Sequence, residues 1–147
     1  MSRVRKSITI SNFLAKDIEN AVFIDKETDF SNRVEYLCRS AILLNNYGRR
    51  EVICSFEENE LLFIYQCLRG FVATSQVNPT LEVHSLVCQY NAMSNLDQVF
   101  AVDAVQISER LLKLSEVASF ALIGMSQQYW NEKEEELIEC TSSTENN

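Results

Sequence analysis

Three glycines and one proline in 147 residues leave this chain few places to turn. Gly and Pro are the strongest punctuators of local structure, so their scarcity predicts long regular elements, and helices above all. Hydrophobic residues make up 46% and charged residues 23%, a balance that suits a folded chain and argues against general disorder. The length fits one ordinary domain, or a small module joined to a larger one. No apolar run approaches the ~18 residues of a membrane span, and the basic start lacks the apolar core of a signal peptide. A cytoplasmic protein without membrane attachment is the expectation.

Residues 1–11 break the helical pattern. Met-Ser-Arg-Val-Arg-Lys-Ser-Ile-Thr-Ile-Ser alternates as a strand does. Val4, Ile8 and Ile10 fall on one face, interrupted by Lys6, while Arg3, Arg5, Ser7 and Thr9 fall on the other. No second strand pattern follows. Such a segment is either disordered or pairs with its counterpart in another copy of the chain.

Helical spacing then takes over. Ser11 or Asn12 is a candidate N-cap for a helix carrying Leu14, Ile18, Ala21 and Val22 on one side. A polar connector, 25–29, precedes a second helix. Ser31 or Asn32 would cap it, with Glu35 completing a capping box and Val34, Leu37, Cys38 and Ala41 on its buried stripe. Asn45-Asn46-Tyr47-Gly48 supplies a stop, and 49–54 reads as a linker.

Beyond it, Ser55-Phe-Glu-Glu58 opens a helix that is apolar nearly all round through Leu61, Ile64, Leu68 and Val72, and so is deeply buried or shared between chains. Asn78-Pro79 starts another. A long pattern from Leu96 to Tyr129 breaks near 101–108, where Val102, Val105 and Ile107 lower helix propensity. Residues 139–147 read as a disordered tail.

Charge divides the chain. Residues 1–50 hold nine Lys/Arg against six Asp/Glu, a net of +3; residues 51–147 hold four against fifteen, a net of −11. Binding follows the local field rather than the average, so a basic first third remains compatible with nucleic acid. The five cysteines, Cys38, Cys54, Cys67, Cys88 and Cys140, form no Cys-x-x-Cys pair and read as reduced core residues. His84 and Cys88 could share a helix face, but a solitary histidine predicts no metal site. With no glycine-rich phosphate loop and no nucleophile–base motif, neither catalysis nor a cofactor is expected.

Strand, helix, polar loop and helix within residues 3–47 resembles the ribbon-helix-helix family of DNA-binding proteins, carried by Lys6-Ser-Ile-Thr-Ile-Ser11 and Phe30-Ser-Asn-Arg-Val-Glu-Tyr-Leu-Cys-Arg-Ser-Ala-Ile42. The resemblance implies a 1–48 module with one intermolecular β-strand plus two helices; the residue patterns beyond it add a 49–54 linker and an acidic three- to four-helix domain over 55–138, making a mainly α chain. It implies a two-stranded ribbon in the major groove, with Arg3, Arg5, Ser7 and Thr9 meeting base edges. Ser31, Asn32 and Arg33 would hold phosphate at the start of the second helix. Val34, where the family has Ser before Glu35, departs from the pattern.

The partners expected are double-stranded DNA and the chain itself, as dimer or tetramer. The acidic region would close that oligomer or dock a protein. A sequence-specific transcriptional repressor is the first functional reading. A plasmid or phage accessory DNA-binding protein of relaxosome or partition type is the second, and an antitoxin the third.

Overall fold

The computed structural model describes residues 7–21, 27–71 and 78–145. Among these the chain is all helical, with α1 (Asn12–Glu19), α2 (Phe30–Ser55), α3 (Glu58–Cys67), α4 (Pro79–Ser94), α5 (Leu96–Phe100), α6 (Ala104–Leu112) and α7 (Glu116–Glu145). It divides into two compact units, one ending at Leu43 and the other starting at Leu44.

The expected β-strand is absent from the described residues, which overturns the ribbon-helix-helix architecture. Ser7–Ile10 form neither strand nor helix, and Ile8, expected on a buried face, is 69% exposed. Val4 and Lys6 lie outside the described residues. The physical reason is that alternation supplies side-chain spacing but no ladder; a strand exists only where a second extended segment exchanges backbone hydrogen bonds with it. Among the described residues no such segment is present. Ser11 does cap α1, its hydroxyl accepting from the Leu14 amide at 3.2 Å.

The second helix is longer than its sequence signals suggest. Instead of stopping at 45–48 and giving way to a linker, α2 runs unbroken to Ser55. Gly48 does not take the left-handed conformation that ends helices; among the described glycines only Gly70 has a positive φ, 75°. A glycine inside a helix costs about 1 kcal/mol. Burial of Val52 and Phe56 just beyond it offsets that cost.

In the unit from Leu44 onward, one core gathers Val52 of α2, Phe63, Ile64 and Leu68 around α3, Val83 and Val87 of α4, Ile107 and Leu111 of α6, and Leu122 of α7. The consecutive burial of Phe63, Ile64 and Tyr65 explains why α3 is apolar nearly all round. Phe63 meets the half-buried Phe100 edge-on, ring centres 6.2 Å apart. Inside the core, Thr80 and Ser119 hydroxyls satisfy each other at 2.8 Å.

Helix ends in this unit follow local chemistry. Pro79 takes the first position of α4 behind an Asn78 cap. Asn95 and Ala101, with φ of 48° and 54°, bracket the five residues of α5. Asp103 then caps α6 by accepting from Val105 and Gln106, so the long pattern breaks inside the expected window. A second break at Lys113–Ser115 makes five helices after α2 where three or four are expected.

Residues 139–145, expected to belong to a disordered tail, are instead the end of α7, which continues to Glu145 with Leu137 and Ile138 each 66% exposed. Of the five free cysteines, only Cys67 is buried, and burial pushes its thiol up to about 12; the other four are exposed. Among the described residues no helix is long and apolar enough to cross a membrane.

Candidate nucleic-acid interface

Those residues expected to touch DNA that are described lie at two places in the first unit, the segment before α1 and the start of α2. Ser7 and Thr9 are exposed, just ahead of the Ser11 cap. Arg3 and Arg5, the other two expected base contacts, lie outside the described residues.

At the start of α2 the local chemistry differs from the expected phosphate clamp. The helix begins at Phe30, before Ser31 and Asn32, and its cap is Asp29. The Asp29 carboxylate accepts from the Asn32 amide at 2.8 Å and from the Asn32 side-chain nitrogen at 3.2 Å. A carboxylate at a helix N-terminus supplies the negative charge that the dipole favours. An incoming phosphate would therefore meet an anion already seated there. Ser31 and Asn32 are exposed, but Glu35 pairs with Arg39 one turn on rather than closing a capping box.

Arg33 turns inward. It is 6% exposed, and its guanidinium donates to the carbonyls of Thr28 at 3.0 Å, Glu19 at 2.9 Å and Ile18 at 3.4 Å. The last carbonyls of a helix have no partner within it. Arg33 supplies one to the end of α1 and holds that end beside α2, where Ile18 is also buried. Its planar fork with several donors makes this reach possible. Nothing in the local sequence around Arg33 distinguishes such a staple from a phosphate ligand, because its partners lie up to 15 residues away.

Among the described residues, the cations left exposed in this region and the adjoining part of α2 are Lys16, Arg39 and Arg50; Arg49 is half-buried and donates to the side-chain oxygen of Gln128 at 3.3 Å. Lys16 stands in the last turn of α1, where it complements the dipole. Sequence reasoning identified the basic region but not which of its cations are already spent on structure.

Elsewhere the strongest electrostatic feature is structural. Arg110 donates to the Ser55 carbonyl at 2.7 Å and to Glu60, and lies 5.1 Å from the centre of the Phe56 ring. The Arg110 hydrogen bonds hold the Glu60 carboxyl below its usual range, and Glu60 raises Arg110 in return. His84 and Cys88 sit 3.6 Å apart on α4, but among the described residues no group of three or more His, Cys, Asp or Glu could hold a metal. Compared with protein-family models, with curated proteins and with solved structures, the chain matches none.

Proposed function

We propose that this protein binds double-stranded DNA with sequence preference as a homo-oligomer, and that it acts as a cytoplasmic transcriptional regulator. The observation that carries the reading is the distribution of charge. Residues 1–16 contain Arg3, Arg5, Lys6 and Lys16 and no Asp or Glu, within a chain of net charge −8. A basic segment of this composition follows phosphates through counterion release and can place arginines in a groove. Ser7 and Thr9 continue it with neutral hydroxyls able to donate or accept at base edges. Arg33 and the Asp29-capped helix start have no direct role in this reading; they brace the end of α1.

Self-association is supported by the first unit itself. Among its described apolar side chains only Ile18 is buried, whereas Phe13 is 85% exposed and Ile42 63%. A unit of about 40 residues rarely stands on so little burial without an added surface.

An accessory role, in which the acidic region recruits another protein to bound DNA, is favoured by one observation: Leu137 and Ile138 are exposed amid Glu132–Glu139. The independent core of residues 52–125 weighs against an antitoxin, whose partner-binding segment would lack one.

Selection of bound sites from random duplex DNA tests the reading, followed by titration with salt. An enriched motif and a steep salt dependence are expected, and removal of residues 1–6 should abolish both. Recovery of unselected sequence, or equal binding by the shortened chain, would refute it.

A further inference from the structure

Between the end of α3 and one face of α7 lies a cavity of about 360 Å³, at the small end of the ~300–1,000 Å³ usual for small-molecule sites. The chain turns back after α3 through Gly70, φ 75°, and the Phe71 amide donates to the Leu68 carbonyl at 3.0 Å. Gln127, Trp130, Asn131 and Glu134 line the cavity from α7, spaced as i, i+3, i+4 and i+7 on one helix face. Hydrogen bonds fix both walls. The Trp130 indole donates to the Tyr65 carbonyl at 2.8 Å, and the Gln127 side chain donates to the Phe71 carbonyl at 3.2 Å.

We propose that this cavity binds a small zwitterion, a free α-amino acid with an aliphatic side chain. The site lies wholly in the unit from Leu44 onward and does not depend on the DNA-binding reading. Three observations select that ligand.

The first is the unused fork of Arg69. Its guanidinium carbon stands 4.4 Å from the centre of the Trp130 ring, which holds the planar group in position. Stacking occupies a face of the guanidinium and leaves its in-plane N–H groups available. Among the described residues they meet no carboxylate or carbonyl. A positioned planar fork is the group best matched to a carboxylate.

The second is an opposite charge in the same cavity. Glu134 is rooted one turn, roughly 6 Å, beyond Trp130 on α7. No ion pair joins it to Arg69, and among the described residues its carboxylate has no donor. In so small a cavity salt screens neither charge from a ligand. A simple anion would be repelled by Glu134 and a simple cation by Arg69, whereas a ligand carrying both charges satisfies both.

The third is the rest of the lining. Leu68, 2% exposed, and the half-buried Phe71 give an apolar wall for an aliphatic side chain. Arg69 is the one cation among the described lining residues, so a second carboxylate on the ligand would go uncompensated. The Asn131 carboxamide, also without a partner among the described residues, can donate to the carboxylate or accept from the ammonium.

Trp130 is the chain's sole tryptophan, so its fluorescence reports on this cavity. The test adds L-leucine to the full chain without DNA, and equilibrium dialysis of isotope-labelled leucine gives the affinity. A saturable change is expected by about 10 mM, which fills nine-tenths of a site whose Kd is ~1 mM. Isocaproate lacks leucine's ammonium and isoamylamine lacks its carboxylate; each should bind about tenfold more weakly. In Arg69→Gln, leucine should lose its advantage over isoamylamine and keep its advantage over isocaproate. Glu134→Gln should do the reverse. Both residues are exposed, so both variants should keep the wild-type unfolding midpoint. General damage to the site would weaken all three compounds together and could not produce this crossed pattern. No binding of leucine, equal binding of the three compounds, or the same loss for all three in both variants overturns the inference. So does binding of isocaproate as tight as leucine, which would make this an anion site, or of isoamylamine as tight as leucine, which would make it a cation site.

Discussion

Gly48 of α2 lies so close to Val117 of α7 that a Cβ at position 48 would stand 2.5 Å from the Val117 carbonyl oxygen and 2.9 Å from Ala121 Cβ. The contacting atoms include rigid backbone, which cannot swing aside as a long side chain can. Alanine normally gains about 1 kcal/mol over glycine inside a helix. Here Gly48→Ala is expected to destabilise the chain by about 2–3 kcal/mol, because two helix backbones must separate. Denaturant unfolding measures it. An unchanged or raised midpoint would show that the two helices part freely.

That residue also shows why some of the fold was legible and some was not. Local chemistry made the Pro79 start readable, because Asn78 and Pro79 act within a turn of themselves; the break near 101–108 was read from Val102, Val105 and Ile107, and the residue that caps α6 there is Asp103. Gly48 carries the same local signal whether it ends a helix or lies under another one. Its use is decided by Val117, 69 residues away in sequence. Arg33 is the same case in charge: a cation at a helix start reads as an anion ligand until the carbonyls of Ile18 and Glu19 come within its reach. The alternation of residues 1–11 was legible as a pattern, but a pattern carries no information about a pairing partner.

The Arg110–Glu60 pair joins α6 to the junction of α2 and α3, and its loss should be felt at low pH. The folded-state pKa of Glu60 is depressed, chiefly by the hydrogen bonds from Arg110. Its contribution is therefore fully present above the unfolded carboxyl value of about 4.3 and is lost as pH falls through the lower folded value. Glu60→Gln should lower stability at pH 7 while flattening the acid limb below roughly pH 5. Arg110→Ala removes a donor from the Ser55 carbonyl as well, and a cost of about 2–4 kcal/mol is expected. Thermal unfolding at pH 7 and at pH 3.5 checks both. Parallel pH profiles for wild type and Glu60→Gln would remove Glu60 from the account.

Arg33 separates bracing from DNA contact. Arg33→Ala strips donors from three carbonyls and should cost about 1–3 kcal/mol, concentrated in α1. Hydrogen exchange over 12–19 is the direct readout and should rise. Arg33→Lys should rescue only part, since an ammonium lacks the fork that reaches both Thr28 and Glu19. DNA affinity can fall with the disordered brace, but its dependence on salt should keep the same slope, because no phosphate contact is removed. A flatter slope in Arg33→Ala would place this residue on the DNA after all.

Arg3 and Arg5 make the opposite prediction. An arginine that neutralises one phosphate contributes about 0.9 to the slope of log affinity against log salt, while one that addresses a guanine contributes about 1–3 kcal/mol at that base pair. Arg3→Ala with Arg5→Ala should therefore reduce the salt slope, relax the selected motif, or both, with the fold untouched as judged by unfolding. Ser7→Ala with Thr9→Ala removes no charge, so it can change the motif but must leave the slope alone. The two double variants thus assign phosphate following and base reading to different residues of one short segment. If the Arg3/Arg5 variant keeps both the wild-type slope and the wild-type motif, the basic arm does not touch DNA, and the charge division of the chain requires another explanation.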